Sequence, residues 1–387
     1  MLVWLCQVVL LTVVAVLVVW RKLNPPAPIC SRDSDGAGDM EIKKKGAVFK
    51  ILYTLYSKTR IGHWYTQKSL EKARLKYPDG HTLLRTFTYG SLQITPIAVN
   101  FDNYTYLIVD TLTNDCVLVD LSDVQPVQLL LNSSKLTPSA VLTTHKHWDH
   151  CCGNAPFRVL HADVEIFGPK SEKPFGVTKC VKHKDELTIG SLNFTCLLTP
   201  GHTSGHMVYL LHGAGHHSPD SLFSGDLLFL GGLGRMFEGS ARTMINSLDE
   251  LMGLPDDTLL WPGHEYAKEN LEFAVKLDSD NDALRQKKVW TALQRVDLLP
   301  TCPSTLGEEK QYNPFLRTDQ PSLLRLLQLL PADQSETQQP ADDQSETQQP
   351  ANDDQSAPID LELRVKALKA LRVLKDKHKP RIVVGTV

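Results

Sequence analysis

No Cys-x-x-Cys pair occurs in the 387 residues, and the eight cysteines (Cys6, Cys30, Cys116, Cys151, Cys152, Cys180, Cys196 and Cys302) follow no regular spacing. That excludes a disulfide framework and reads as free thiols in a reducing compartment. A basic excess is lacking too. Lys and Arg number 41 against 44 Asp and Glu, for a net charge of -3. The charge footprint of a nucleic-acid binder is therefore absent. With 42% hydrophobic residues, the chain has enough apolar material for a sizeable core and for more than one domain.

Charge is missing altogether from the first twenty residues, MLVWLCQVVLLTVVAVLVVW. As a helix rising ~1.5 Å per residue this run is roughly 30 Å long, enough to cross a hydrocarbon core. No basic segment precedes it and no small-residue cleavage site follows, which argues against a removed signal peptide. Arg21, Lys22 and Lys43–Lys45 lie on its C-terminal side. The positive-inside rule then predicts a single-pass membrane protein with its catalytic part in the cytosol.

Composition divides the rest. Residues 21–45 form a Pro-, Gly- and Ser-containing linker, and 46–91 a helical extension that ends near Pro78 and Gly80. From 92 to 265 short apolar runs alternate with helical stretches, the pattern of a layered α/β domain. A helical C-terminal domain is predicted from 266–330 and 357–380. Between these two pieces, residues 331–356 carry an acidic unit repeated three times, the last copy truncated, without Lys, Arg or aromatic side chains. Such a segment cannot bury a core and is predicted to be a disordered insertion.

The chemistry concentrates after the apolar run AVLTT. Residues 143–150 read TTHKHWDH, placing His145, His147, Asp149 and His150 within six positions. So many titratable groups in so short a stretch mark a site rather than packing. Three further candidates each follow an apolar run and stand next to a glycine: His202 in TPGHTSGH, Asp226 in FSGDLLF and His264 in WPGHEY. Loops at one edge of a sheet would bring them together. Five imidazoles and two carboxylates exceed what one cation needs and suit two divalent ions. The donor types favour zinc, iron or manganese over magnesium or calcium. His206 reads as a partner of a ligand, Cys151 and Cys152 as small apolar fillers, and Trp148 as packing.

THKHWDH resembles the THxHxDH motif of the metallo-β-lactamase superfamily. GHTSGH, FSGDLLFLGGLGRMFEG, WPGHEY and STLGEEKQYNPF resemble the hydroxyacylglutathione hydrolases (glyoxalase II) over roughly residues 92–330 and again over 360–378. The resemblance implies an αββα sandwich with a small helical C-terminal domain, here behind an N-terminal transmembrane helix. It implies two divalent ions, zinc first, with His145, His147 and His202 on one, and Asp149, His150 and His264 on the other. Asp226 would bridge them, and Asp149 and Asp226 would be the catalytic carboxylates. Water between two cations loses its proton near neutral pH, and the resulting hydroxide attacks the acyl carbonyl of a thioester such as S-lactoylglutathione.

For the glutathione part, the resemblance points to Arg235, Phe237, Tyr266, Arg372 and Lys375. Arg235 and Phe237 depart from the Lys and Tyr usual in the family. Loss of the hydroxyl at Phe237 would weaken binding by ~1 kcal/mol or more. Two other functions stand beside this one: a persulfide dioxygenase-like enzyme with one iron, and a membrane-tethered regulator or scaffold with weak hydrolase activity. The basic tail KDKHKPRIVVG would in that case meet anionic lipid or an unidentified protein partner.

Overall fold

The computed structural model describes residues 47–331 and 359–378. The expected anchor and linker, and residues 332–356 of the acidic repeat, lie outside the described residues. Among the described residues no helix is long and apolar enough to cross a membrane. The longest two, Arg60–Lys76 and Leu361–Lys377, have 17 residues each and carry charges along their length. A span needs about 20 predominantly apolar residues. The single-pass membrane placement expected from residues 1–20 is corrected accordingly.

Two helices open the described chain, α1 (Ala47–Lys58) and α2 (Arg60–Lys76). Thr59 separates them because its side chain accepts the Ile61 amide and so starts a new helix. Seven strands then form the first sheet in the order in which they occur. They are β1 (Phe87–Tyr89), β2 (Leu92–Val99), β3 (Asn103–Asp110), β4 (Cys116–Val119), β5 (Ala140–Leu142), β6 (Glu165–Pro169) and β7 (Lys179–Val181). Residue 92 was the expected start of the strands, but β1 lies ahead of it, paired antiparallel with β2. From β4 to β7 the pairing is parallel. The crossovers carry α3 (Val124–Ser134), α4 (Trp148–Cys151) and α5 (Asn154–Leu160).

The second sheet holds β8 (Glu186–Ile189), β9 (Leu192–Leu198), β10 (Met207–Leu211), β11 (Ser221–Gly225), β14 (Leu259–Pro262) and β15 (Ser304–Thr305). Their order is β15-β14-β11-β10-β9-β8, and β11 runs parallel to β14. A small hairpin, β12 (Leu228–Phe229) with β13 (Gly232–Leu233), follows β11. The helices after it are α6 (Ala241–Met252), α7 (Ala267–Leu277), α8 (Asp282–Val296), α9 (Leu306–Tyr312), α10 (Pro321–Leu326) and α11 (Leu361–Lys377).

Strand alternation sorts the core into layers. On β3, Tyr104, Tyr106 and Ile108 join the large core, together with Phe194, Cys196 and Phe223 of the second sheet. Leu107 and Val109 face the other way, onto Val127 and Leu131 of α3 and Phe157 of α5. Trp261 of β14 is fully buried. Its ring meets Tyr106 at 5.7 Å and Phe223 at 6.3 Å, joining the two sheets. On the far side, Met244, Ile245 and Leu248 of α6 complete the sandwich. α11 returns to pack there: Arg364 makes two bonds to Asp249 at 2.9 and 2.5 Å, and Arg242 pairs with Glu362.

Leu368 and Leu371 of α11 are completely buried. Leu368→Ala is expected to cost about 2–5 kcal/mol in denaturant unfolding, as other buried leucine truncations do. An unchanged midpoint would show that α11 does not belong to the core.

Candidate metal centre

The seven candidate ligands reach one place because the parallel strands end there, where open α/β sheets form their crevices. β5 stops at Leu142, and the chain crosses the sheet edge through Thr143–His147 before the short α4 turns Asp149 and His150 inward. Asp226 follows β11, His264 follows β14, and His202 sits in the loop between β9 and β10. Gly225 has a φ of +48°, and a Cβ there would stand 2.6 Å from Thr144 Oγ1 and 2.9 Å from His206 Nε2. The glycine before Asp226 is thus required by both conformation and space.

The donor atoms fall into two sets, each spanning no more than 4.8 Å: His145, His147, His202 and Asp226, and then Asp149, His150 and His264. His147 Nδ1 lies 3.0 Å from both His145 Nε2 and His202 Nε2. His150 Nε2 and His264 Nε2 are 3.2 Å apart. Asp226 stands between the sets. Its Oδ2 is 3.3 Å from His202 Nε2, and its Oδ1 is 3.3 Å from His150 Nε2 and 3.2 Å from His264 Nε2.

The outer ring nitrogens decide the tautomers. His264 Nδ1–H donates to Asp102 at 2.8 Å, His150 Nδ1–H to Asp120 at 3.0 Å, and His202 Nδ1–H to the Arg235 carbonyl at 2.9 Å. Thr144 Oγ1 donates to Asp120, so it accepts from His145 Nδ1–H at 3.0 Å. Each imidazole therefore turns a lone pair inward. Lone pairs 3 Å apart repel unless a cation lies between them. Asp226 Oδ1 is moreover a buried acceptor with no hydrogen-bond donor. Imidazole and carboxylate donors, outer nitrogens held in place and an orphaned central oxygen fit a pair of divalent ions.

Electrostatics separate the two sets. Burial, with the neighbouring histidines adding to it, pushes His145 and His147 well down. For His150, burial lowers the pKa, but Asp226, Asp149 and Asp120 outweigh it and raise it to about 10. Burial also opposes His264, which Asp226 and Asp102 hold well above the ordinary imidazole range. Asp226 is pushed up by burial, yet His264, His150 and His202 hold it far below the usual carboxylate range. The centre demands positive charge beside its carboxylates: a proton on the inner nitrogen of His150 supplies it without a metal, and a divalent ion would displace that proton to take the lone pair.

A cavity of about 830 Å³ opens onto His147, Asp149, His202, Asp226 and His264. Its walls also include Arg235, Phe237, Tyr266, Arg372 and Lys375, so all five expected substrate contacts face one space. Arg235 and Arg372 gather on Asp376 at 3.5 and 2.8 Å. Lys375 donates to the Glu269 carbonyl at 2.8 Å, and burial with the nearby Arg372 brings its pKa down to about 8. Tyr266 stacks on His264 at 4.6 Å. Phe237 stands edge-on to His202 at 5.2 Å and His147 at 5.7 Å.

His206 lies outside both donor sets; its Nε2 accepts the Asp226 amide at 3.1 Å. Cys151 and Cys152 are fully buried, and Cys152 Sγ donates to the Ser122 carbonyl at 3.0 Å. Sequence reasoning overlooked Asp102, Asn103 and Asp120. Asp120 carried a signal, since it ends the apolar run CVLV as Asp226 ends SLFS. It also missed Tyr53 and Tyr56 of α1, whose hydroxyls reach His147 at 3.0 Å and Asp149 at 3.0 Å.

Residues 99–264 match the family model described as the metallo-beta-lactamase superfamily, and residues 265–378 match that of the hydroxyacylglutathione hydrolase C-terminus. The chain is 42% identical over 224 residues to a protein of Arabidopsis thaliana named cytoplasmic hydroxyacylglutathione hydrolase, covering 57% of this chain and 86% of that one. With a hydroxyacylglutathione hydrolase-like protein of Gallus gallus it shares 39% over 227 residues, covering 58% and 80%. A hydroxyacylglutathione hydrolase of Dictyostelium discoideum is 38% identical over 241 residues, covering 60% and 88%. The cytoplasmic designation of the Arabidopsis relative stands with the lack of a spanning helix among the described residues against the membrane placement.

Asp120 accepts from His150, from the Thr144 amide and from the Thr144 hydroxyl. Asp120→Ala is expected to weaken cation binding about 10–100-fold in a chelator competition, because His150 loses the partner that fixes its ring. Equal affinities in variant and wild type would show that this support is dispensable.

Proposed function

The chain belongs to the hydroxyacylglutathione hydrolase family of the metallo-beta-lactamase superfamily, and from that premise we propose that it cleaves S-acylglutathione, such as S-lactoylglutathione, or a related thioester. The observation that carries this reading is the shared position of Asp226, one oxygen toward each donor set, at the floor of a cavity lined by three cations. His145, His147 and His202 are assigned to one divalent ion, Asp149, His150 and His264 to the other, with Asp226 between. Zinc is the ion assigned, with iron and manganese compatible with the same donors. The catalytic part is assigned to residues 92–265, and substrate binding to 266–330 with 357–380. Two donor sets sharing one carboxylate favour this chemistry over that of a single iron.

When bound, a pair of divalent ions acidifies water and polarises an acyl carbonyl. The chain's own groups do the rest. Asp226, between the two donor sets, and Asp149 would supply the negative charge that offsets such a pair. Asp102, Asp120 and the Arg235 carbonyl lock three imidazoles in the tautomer that turns Nε2 inward. Arg235, Arg372 and Lys375 hold the carboxylate end of the glutathione moiety away from the reacting centre. Tyr266, kept protonated by burial, offers a hydroxyl to the same moiety. A thiolate leaves readily, so the chain needs no general acid for it and no Ser or Cys nucleophile.

Remote contacts of this kind act on substrate binding and leave the chemistry intact. Arg372→Ala is expected to raise KM for S-lactoylglutathione with little loss of kcat, and to change hydrolysis of a short neutral thioester very little. Arg372 also donates to the Leu233 carbonyl at 3.1 Å, so an equal loss with both substrates would assign it to structure instead. Absence of S-lactoylglutathione hydrolysis by wild-type protein carrying its full complement of cations would remove the glutathione reading.

A further inference from the structure

We propose that α1 is a working part of the metal centre, with Tyr53 and Tyr56 as positioning residues, one for each set of ligands. This rests on the dimetal reading above. The match to the superfamily begins at residue 99, well after α1, so this contribution comes from outside the matched segment.

Tyr53 and Tyr56 are three apart on a helix and so share a face. Both line the cavity over the donor sets, together with Phe49 and Leu52. His147 Nδ1 is the inner nitrogen, because it is the atom close to His145 and His202. The ring's proton therefore sits on Nε2, and its partner there is Tyr53 Oη at 3.0 Å. Tyr53 passes the interaction on by donating to Glu238 Oε1 at 3.1 Å. Glu238 is anchored by Lys146 Nζ at 2.7 Å and by the Ser204 amide at 2.8 Å. Every proton in the relay His147–Tyr53–Glu238 is accounted for, and the imidazole is held as carboxylates hold His150 and His264. His147 is the one imidazole of the five whose outer nitrogen is satisfied from α1.

Tyr56 does the corresponding task in the other set. It donates to Asp149 Oδ1 at 3.0 Å. Asp149 Oδ2 takes the Asn103 amide at 3.1 Å and faces His150 Nε2 and His264 Nε2, each 3.8 Å away. The phenol thus occupies the outer oxygen and leaves the inner one for coordination. Burial, reinforced by Glu238 for Tyr53 and by Asp149 for Tyr56, raises both phenols above their ordinary range, so both stay protonated donors.

The helix is seated for this purpose. Trp148, between the two ligands His147 and Asp149, donates its indole N–H to the Tyr56 carbonyl at 2.7 Å. Gly62 lets α2 approach that ring, since a Cβ there would lie 2.7 Å from Trp148 Nε1 and still closer to the Tyr56 carbonyl oxygen. Tyr53 also stacks on Phe237 at 5.2 Å. The ring without a hydroxyl at position 237 is thereby a platform for α1.

The test uses the full chain as wild type, Tyr53→Phe, Tyr56→Phe and the double variant. Each is stripped and titrated with Zn²⁺ against a chelator, and the melting temperature is recorded before zinc is added. Phenylalanine keeps the ring packing and removes only the hydroxyl. Each single variant is expected to weaken one of two zinc-binding steps about 10–100-fold, and the double variant both, with the zinc-free melting temperature unchanged. Wild-type affinities in all variants would overturn the inference and leave the dimetal reading intact. Loss of affinity in step with a lower zinc-free melting temperature would overturn it too, by assigning the tyrosines to packing. A wild type that binds no zinc would overturn both this inference and the reading beneath it.

Discussion

The structure depends on one electrostatic constraint: five imidazole lone pairs and the oxygens of Asp149 and Asp226 converge on a volume a few ångströms across. Such a cluster repels itself unless protons or metal cations occupy it, and each ring must be held so that its inner nitrogen cannot turn away. Asp102, Asp120, Thr144, Tyr53 and the Arg235 carbonyl do that holding. These groups orient the ligands and raise their basicity, which is why they weigh nearly as much as the ligands themselves.

The sandwich exists to meet that constraint. Ligands spread over more than a hundred residues of sequence meet because β5, β11 and β14 end at the same edge. Two packed sheets fix those ends: Trp261, Tyr106 and Phe223 lock one sheet onto the other just below the site. Tyr106 Oη also donates to the Pro262 carbonyl at 2.6 Å, two residues before His264. The core is thus tied by a hydrogen bond, as well as by packing, to the strand end that leads into His264.

Much of this was legible in the residues. The motif TTHKHWDH after an apolar run, and His202, Asp226 and His264 each beside a glycine, announce ligands on loops at strand ends. The tyrosines of α1 were not legible. Tyr53 lies 94 residues from His147, and a phenol at helical spacing looks like any half-buried aromatic. Only tertiary packing through Trp148 brings it to the site. The uncharged first twenty residues misled the reading of location, because an apolar run of the right length marks a candidate span and does not establish one.

Asp226 is assigned here the part that would unite two cation sites into one centre. The most direct measurement is the metal content of the purified full chain, wild type beside Asp226→Ala, after reconstitution with zinc and removal of excess. Two zinc ions per wild-type chain are expected, with loss of bound zinc together with thioester turnover in the variant. A variant that kept both ions and its turnover, or a wild type saturating at one ion, would contradict it.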